Sequence, residues 1–385
     1  MGSLYCRCLY CILFAAIISF PTSQWALIQL SRQTLGFNHL LSDLFQAHEH
    51  SIWATLNPES NQTFRATSPN IITSLSDLST ISLSHPFIIR GLSKDTVLSI
   101  SDMTDDAVLK DVEIDYFSDA RKQNTVPDSK GKLGEVVQMI YSGGVQKFGT
   151  QKIIHAAPHL IKRLVKANDW LETVFGKWRV GLWQGVGSHW LSNLIVTGEE
   201  RRQQCERSWT ARIIYKRRRS LFTPQPPPTC ASLPMFAVPV FMARGQANSN
   251  DLGQTTRTDL HCEPIANMVY QTEGEKVWTL VDPVYSHLLN PTLAPDGRAY
   301  FYSMLDALDS NSMNHVPRYE IKTIAGDIMY VPSWTWHRVE YLPDVTAVSV
   351  SLFEFAPREF VFNNPLYAAT LIPNLIKEAV GLKTQ

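Results

Sequence analysis

Apolar residues recur along the chain with two different periods, which separate helical stretches from strand-like ones. Spacings of three and four residues predict helices at residues 40–45, 133–141, 158–165 and 366–383. Alternating or continuous short apolar runs bounded by turn residues predict strands at residues 86–91, 111–117, 239–245 and 327–331. Two more strands, residues 267–272 and 276–280, flank Gly274, and their pattern predicts a hairpin.

Together these elements predict a mainly β protein with flanking helices, of the α+β class. The chain has 385 residues, of which 44% are hydrophobic and 18% charged, so it can bury one large core with extensions. Its formal net charge is zero, which gives no global electrostatic argument for binding nucleic acid or an anionic membrane.

The most informative chemical pattern is His261-Cys-Glu263, followed much later by His337. On an extended strand, side chains two residues apart point to the same face, so His261 and Glu263 can share an interior. The strand at 327–331 runs into Pro332, and the turn after it delivers His337 onto a new strand. Two histidines and one carboxylate leave coordination positions open for a cosubstrate and dioxygen, as in non-heme Fe(II) oxygenases.

A basic residue lies on the strand that follows the first two ligand candidates. Strand alternation places Lys276, Trp278 and Leu280 on one face, and its two apolar companions favour an inward-pointing Lys276. A solvent-exposed lysine near the turn at Gly274 is the alternative, since lysines are rarely buried without a partner. Cys262, between two ligands, should point away from the metal and pack as a small residue.

Residues 255–283 resemble the metal-binding core of the JmjC and cupin-8 family of Fe(II)/2-oxoglutarate oxygenases, and residues 326–337 resemble its distal histidine segment. The resemblance implies a double-stranded β-helix, the cupin or jelly-roll barrel, with an N-terminal helical region and a C-terminal helix. It also implies that the metal ligands and catalytic residues are His261, Glu263 and His337.

The same resemblance assigns the cosubstrate site. Lys276 matches the lysine that pairs with the distal carboxylate of 2-oxoglutarate, Thr258 matches the threonine that assists it, and Asn267 matches an asparagine behind the acidic ligand. This chain departs from the family where many members carry an asparagine on the strand after the distal histidine. Ser351 or Ser349 would have to serve there.

The activity that the resemblance implies is hydroxylation of a protein or peptide side chain with Fe(II), 2-oxoglutarate and dioxygen. Two rivals remain open: a cupin metalloenzyme that does not use 2-oxoglutarate, and a non-catalytic binding protein that keeps the barrel. Fold resemblance does not supply the substrate. No nucleic-acid partner is expected, and the C-terminal helix, residues 357–385, serves either core packing or a homodimer.

Residues 1–24 have the length and apolar content of a signal peptide or signal anchor, with an apolar run at residues 9–20. The sequon at Asn61 agrees with a secretory route, either the ER lumen or a membrane anchor. A bipartite organelle address and a false start site are the alternatives. The three cysteines outside this segment, Cys205, Cys230 and Cys262, are odd in number and far apart, so no disulfide framework is implied.

Residues 180–233 differ in composition from the rest of the chain. Eight Arg or Lys residues face one Glu between Arg201 and Arg219, and a proline run follows, as in a solvated insertion. Lineage-specific insertion and translated non-coding sequence both account for it. The predicted organisation therefore places N-terminal strands and helices at 25–179, this insertion at 180–233, and the catalytic core at 234–356.

Overall fold

The computed structural model describes residues 20–35, 42–57, 63–92, 98–120, 127–184, 236–246, 256–294, 300–305 and 310–379. Within these ranges the α-helices are α1 Pro21–Leu35, α2 Ser42–Leu56, α3 Ile100–Asp105, α4 Leu133–Tyr141, α5 Lys152–Ala156, α6 His159–Ala167, α7 Leu171–Gln184, α8 Ser310–Met313, α9 Pro357–Asn363 and α10 Pro365–Ala379. The described helices at 133–141 and 159–167 confirm two of the sequence predictions.

The first five strands lie between the early helices along the chain. They are β1 Asn70–Ile72, β2 Phe87–Ile89, β3 Glu113–Tyr116, β4 Ser129–Lys132 and β5 Lys147–Thr150. The next five are β6 Phe236–Ala237, β7 Val240–Arg244, β8 His261–Cys262, β9 Ala266–Glu273 and β10 Glu275–Val281. The last six are β11 Pro291–Leu293, β12 Phe301–Ser303, β13 Tyr319–Ile324, β14 Ile328–Val331, β15 Trp336–Tyr341 and β16 Thr346–Glu354. The α+β class is therefore confirmed.

Most strands belong to two sheets. The major sheet has the order β1-β2-β14-β9-β16-β7-β5, with β6 paired to β16, and the minor sheet has the order β11-β12-β8-β15-β10-β13. Only β1 and β2 pair in parallel within these sheets. The short pair β3 and β4 stands apart from both.

The two sheets share one interior, because a single apolar cluster draws its side chains from both. Val269, Met329 and Val331 come from the major sheet, and Trp278, Leu280 and Val339 come from the minor sheet. A second cluster joins the other face of the major sheet to α4, α6 and α7, and a third joins the other face of the minor sheet to α1, α2 and α10. Helices therefore cover a two-sheet sandwich on both outer faces, an arrangement consistent with a jelly roll.

The predicted hairpin around Gly274 is wrong. β9 pairs with β14 and β16 in the major sheet, whereas β10 pairs with β13 and β15 in the minor sheet. The chain thus crosses from one sheet to the other at Gly274, which has φ +66, and a Cβ there would lie 2.1 Å from the Thr346 carbonyl oxygen. Turn composition signals a tight reversal but does not say which strands pair across it.

A similar crossing delivers the distal histidine. β14 lies in the major sheet and β15 in the minor sheet, and the turn between them holds Trp334 at φ +67. The indole of Trp334 is fully buried and donates to the carbonyl oxygen of Phe360 at 2.9 Å. This burial offsets the cost of a left-handed backbone at a bulky residue. The predicted strand, turn and new strand are confirmed.

The two N-terminal helices, α1 and α2, pack against the minor sheet as part of the fold. Trp25 is completely buried and its indole donates to the Pro291 carbonyl oxygen at 2.8 Å. The buried carboxylate of Glu49 accepts hydrogen bonds from Gln29 and Thr292. The helical patch predicted at 40–45 is the start of α2, whereas α1 had no clear sequence signal.

Several predictions fall wholly or partly outside the described residues. Among them are the apolar run at 9–20, of which only Phe20 is described, the sequon at Asn61, residues 185–233 of the predicted insertion, and the ends of the helices predicted at 40–45 and 366–383. Residues 180–184, which were predicted to open the insertion, instead complete α7, and Val180 and Trp183 are buried in the core. Among the described residues, no helix combines the length and the apolar character needed to cross a membrane.

The predicted C-terminal helix is present as α9 and α10, with Pro373 inside α10. Tyr367, Ala368 and Leu371 are buried against the minor sheet and α1, which shows core packing. Ile372, next to Leu371, is 47% exposed. The side chains beyond Pro373 lie outside the described set.

Candidate metal centre

Two predicted metal ligands lie opposite each other on neighbouring strands. β8 and β15 are antiparallel, and His261 is the direct register partner of His337. Their ring centroids are 4.2 Å apart with an interplanar angle of 53°. Because directly opposed residues point to the same face of a sheet, strand pairing alone brings two imidazoles together from positions far apart in sequence.

Both imidazoles are oriented in the same way. The Nδ1 of His261 lies 2.7 Å from the Asp259 carbonyl oxygen, and the Nδ1 of His337 lies 3.1 Å from the Thr335 carbonyl oxygen. A carbonyl only accepts, so each Nδ1 carries the proton that it donates. In its neutral form each ring then presents the lone pair of Nε2. Metal-binding histidines are held in this way, with the second ring nitrogen bonded to a backbone carbonyl or carboxylate.

The protonation state of His337 also suits a metal ligand. Burial and, to a smaller extent, the neighbouring His261 lower its pKa to about 4, and this value includes the opposite contributions of Glu263 and the bond to Thr335. The side chain is 8% exposed. His337 is therefore neutral at physiological pH, the state in which imidazole binds a metal ion.

Glu263 follows β8 rather than lying within it, and its backbone oxygen accepts from the Trp334 amide at 2.8 Å. The negative charge of Glu263 raises the pKa of His337, so the carboxylate lies within electrostatic reach of that ring. In the described part of the chain, no three His, Cys, Asp or Glu side chains are gathered tightly enough to hold a metal ion as they stand. The two histidines are therefore brought together, whereas Glu263 does not close a three-ligand cluster with them.

Lys276 points into the interior, as alternation predicted, and is only 2% exposed. Its Nζ donates to the Ser349 hydroxyl at 2.5 Å and lies 5.0 Å from the ring centroid of Tyr341. Burial lowers the pKa of Lys276 to about 7. Within the described ranges no carboxylate pairs with this ammonium group, an uncommon state for a buried lysine.

The two other predicted cosubstrate residues are also in place around the interior. The Thr258 hydroxyl accepts from the Val339 amide at 2.9 Å, which fixes Thr258 beside β15. Asn267 on β9 is 6% exposed, and its Oδ1 has no hydrogen-bond partner among the described residues. A buried amide oxygen without a partner is costly, so it suits a site that a ligand or bound water completes.

Ser349 and Ser351 both lie on β16 and both are buried, but only Ser349 contacts Lys276. Ser351 is the register partner of Val269, further along the strand. Sequence reasoning named both serines without ranking Ser349 first, and it missed Tyr341 altogether. The register of β10 with β15, which makes Tyr341 the direct partner of Lys276, is the signal that would have found it.

The remaining residues of the two motifs serve packing. Cys262 is fully buried in the cluster on the outer face of the minor sheet, away from the imidazoles, as predicted. Trp334 and Trp336 belong to the same cluster, and the Trp336 indole donates to the Ser286 hydroxyl at 2.9 Å. Both indoles therefore serve packing.

Comparison with known proteins identifies the family but names no individual relative. A search of curated proteins found no significant match. A family model described as a cupin-like domain matches residues 78–354, which is more than half of the chain and includes every candidate site residue. That family includes Fe(II)/2-oxoglutarate oxygenases. The matched residues run from the 3₁₀ turn at Leu75–Thr80 to the last strand, β16. Because the match covers more than half of the chain, this chain belongs to the cupin-like domain family.

Proposed function

We propose that this protein is an Fe(II)- and 2-oxoglutarate-dependent oxygenase that hydroxylates a protein or peptide side chain. The observation that carries the proposal is Lys276, a fully buried ammonium group whose described partners are a hydroxyl and an aromatic ring. A buried cation without a counter-charge is expensive. An anionic ligand that enters the same interior would supply that counter-charge.

The donor set fits iron. His261 and His337 offer two oriented imidazole nitrogens on one side, and Glu263 is the nearby carboxylate. Two histidines and one carboxylate with open positions are typical of non-heme Fe(II) oxygenases. The chain's own contribution is to orient both imidazoles through hydrogen bonds from Nδ1 to backbone carbonyls, and to keep His337 neutral before any metal arrives.

The interior also fits 2-oxoglutarate. His337 and Tyr341 lie four residues apart on one face of β15, which corresponds to about 13 Å along the strand. Lys276 on β10 lies opposite Tyr341 at the far end of this interval, and Thr258 accepts a hydrogen bond from Val339 within it. One end of a short dicarboxylate can therefore lie near the imidazoles while its other end meets the ammonium group.

When bound, iron and 2-oxoglutarate supply the oxidising chemistry: one oxygen atom of dioxygen enters the substrate and the other enters succinate, with release of carbon dioxide. Lys276 orients the far carboxylate, which leaves the keto-acid end free for the metal. The apolar cluster of Val269, Trp278 and Leu280 excludes water from the same space. Excluded water limits side reactions and strengthens the ionic contact.

The two rival functions predict different binding results. A metalloenzyme that does not use 2-oxoglutarate would bind iron but not the cosubstrate. A non-catalytic binding protein would bind neither iron nor 2-oxoglutarate at about one equivalent per chain. Purified protein with Fe(II), ascorbate and dioxygen should convert 2-oxoglutarate to succinate. Mass spectrometry of peptide pools incubated with and without 2-oxoglutarate should then show a gain of one oxygen atom on the substrate.

A further inference from the structure

The position of the Lys276 ammonium group sets the length of the space available to a cosubstrate. β10 and β15 run antiparallel, with Leu280 opposite His337 and Lys276 opposite Tyr341. The metal end and the lysine end of the interior are therefore separated by four residues of strand, or about 13 Å between Cα positions. Any shift of Nζ along this axis lengthens or shortens the gap.

A lysine side chain has four rotatable bonds, so burial alone does not fix where Nζ lies. Here two groups restrain it from different sheets. The Ser349 hydroxyl of the major sheet lies 2.5 Å from Nζ, and the ring of Tyr341 in the minor sheet lies 5.0 Å from it. The electron-rich face of an aromatic ring attracts a desolvated ammonium group, so the ring holds Nζ near it.

Tyr341 suits this task better than a flexible residue would. It packs against the interior apolar cluster, and its backbone amide donates to the Thr256 carbonyl oxygen at 3.0 Å. Its side chain has only two rotatable bonds in the carbon skeleton, and its neighbours limit both. A rigid ring beside a flexible ammonium group defines one position for the charge.

We propose that Tyr341 is a positioning residue that fixes the Lys276 ammonium group and thereby selects five-carbon 2-oxo dicarboxylates over shorter and longer homologues. This inference rests on the proposed function, because it assumes that the interior receives 2-oxoglutarate. Tyr341 acts through Lys276 and Ser349 assists from the opposite sheet. Neither residue needs to touch the reacting atoms.

The test is equilibrium binding measured by calorimetry on the full chain supplemented with Mn(II). The three ligands are oxaloacetate, 2-oxoglutarate and 2-oxoadipate, which have four, five and six carbons. Wild-type protein should prefer 2-oxoglutarate over both homologues by about tenfold or more. Tyr341→Leu, which removes the ring, should weaken 2-oxoglutarate binding by about tenfold and reduce the preference to roughly threefold or less.

Two further variants separate positioning from folding. Tyr341→Phe keeps the ring and should keep the wild-type preference, and Ser349→Ala, a very small change, should reduce it in the same direction as Tyr341→Leu. Tyr319→Leu is the matched control, since Tyr319 packs on the same interior cluster but bonds to Asp282. It should leave the preference unchanged.

Retention of the wild-type chain-length preference by both Tyr341→Leu and Ser349→Ala would overturn the positioning role while leaving the proposed oxygenase function intact. Wild-type protein that binds none of the three ligands would overturn both together. If Tyr341→Leu does not fold, the other two variants still test the proposal. Ser349→Ala should reduce the chain-length preference, whereas Tyr341→Phe should keep it.

Discussion

The two ends of the sheet interior are built by different means. At the histidine end, strand pairing places His261 opposite His337, and backbone carbonyls orient both rings. At the lysine end, side chains from two neighbouring strands hold Lys276, and its partners are a hydroxyl and a ring. The first end is arranged by the backbone, whereas the second depends on side-chain packing.

This difference predicts how each end responds to change. A backbone-arranged site keeps its geometry when a neighbouring side chain is replaced, so damage follows only from loss of a ligand itself. A site held by side chains shifts whenever one of its contacts is removed. The histidine end should therefore show large effects at few positions, and the lysine end graded effects at several.

The largest effect is expected from His337→Ala, which removes one of the proposed ligands. Loss of an outer partner of a metal ligand already costs tenfold to a hundredfold in affinity, so loss of the ligand itself should reduce Fe(II) or Mn(II) affinity at least ~100-fold and abolish turnover. Metal content after dialysis and succinate formation measure the two consequences. His287→Ala, an exposed histidine, is the control, and full metal occupancy in His337→Ala would remove this residue from the site.

Lys276→Met should weaken cosubstrate binding at the lysine end without weakening metal binding at the histidine end. Breaking a buried ion pair from one side costs roughly 3 to 5 kcal/mol, so 2-oxoglutarate affinity should fall by about two orders of magnitude or more. Metal affinity should stay within about twofold of wild type, because the imidazoles are held by the backbone. Lys322→Met on β13 is the matched control, since that lysine is exposed and pairs with Glu275.

Ligand-free protein gives a second readout of the same residue. Replacing a buried cation without a counter-charge by an apolar side chain of similar length should not lower the melting temperature, and it should remove the thermal stabilisation that 2-oxoglutarate gives. A Lys276→Met protein that still gains wild-type thermal stability from 2-oxoglutarate would show that this lysine does not meet the carboxylate.

The pKa of Lys276 also predicts how stability changes with pH. Burial lowers it from 10.5 in the ordinary state to about 7 in the folded protein. Between these values the unfolded chain binds a proton that the folded chain does not, so the free energy of unfolding should rise with pH. The slope from this one group is at most about 1.4 kcal/mol per pH unit.

Denaturant unfolding of wild type and Lys276→Met between pH 7.5 and 9.5 measures that slope as a difference between the two proteins. Burial raises the pKa of Tyr341 far above its ordinary value, but Tyr341 is present in both proteins and cancels. The wild type should gain stability relative to the variant as pH rises. Parallel curves would mean that Lys276 remains charged throughout this range.

The contrast between the two ends also explains what the sequence could predict. His261, Glu263, Lys276 and His337 stand in short motifs whose strand character is local, and the structure brings the two histidines together and buries the lysine. The sequence did not reveal Tyr341 and did not rank Ser349 above Ser351, because the roles of both residues depend on which strands pair. Pairing partners are set by packing across the whole domain and leave no local pattern.

The error at Gly274 has the same origin. Glu273-Gly274-Glu275 has the composition of a tight turn, and the strands beside it do begin and end as predicted. Yet β9 and β10 separate into different sheets, because each pairs with strands that come later in the chain: β9 with β14 and β16, and β10 with β13 and β15. Local chemistry fixed the turn, and long-range burial decided the partners.

The smallest expected effects distinguish the two serines of β16. Removal of the Ser349 hydroxyl takes away a hydrogen bond to a charged group, which is worth about 1.5 to 3 kcal/mol, so Ser349→Ala should weaken 2-oxoglutarate binding by about tenfold or more. Ser351 is buried but makes no side-chain contact with Lys276 in the described residues, and Ser351→Ala should change affinity by less than about threefold. Calorimetric titration of both variants decides between them. The reverse order would mean that Ser351 takes the place of the family's asparagine, and that the hydroxyl of Ser349 serves only as a hydrogen-bond partner for the buried lysine.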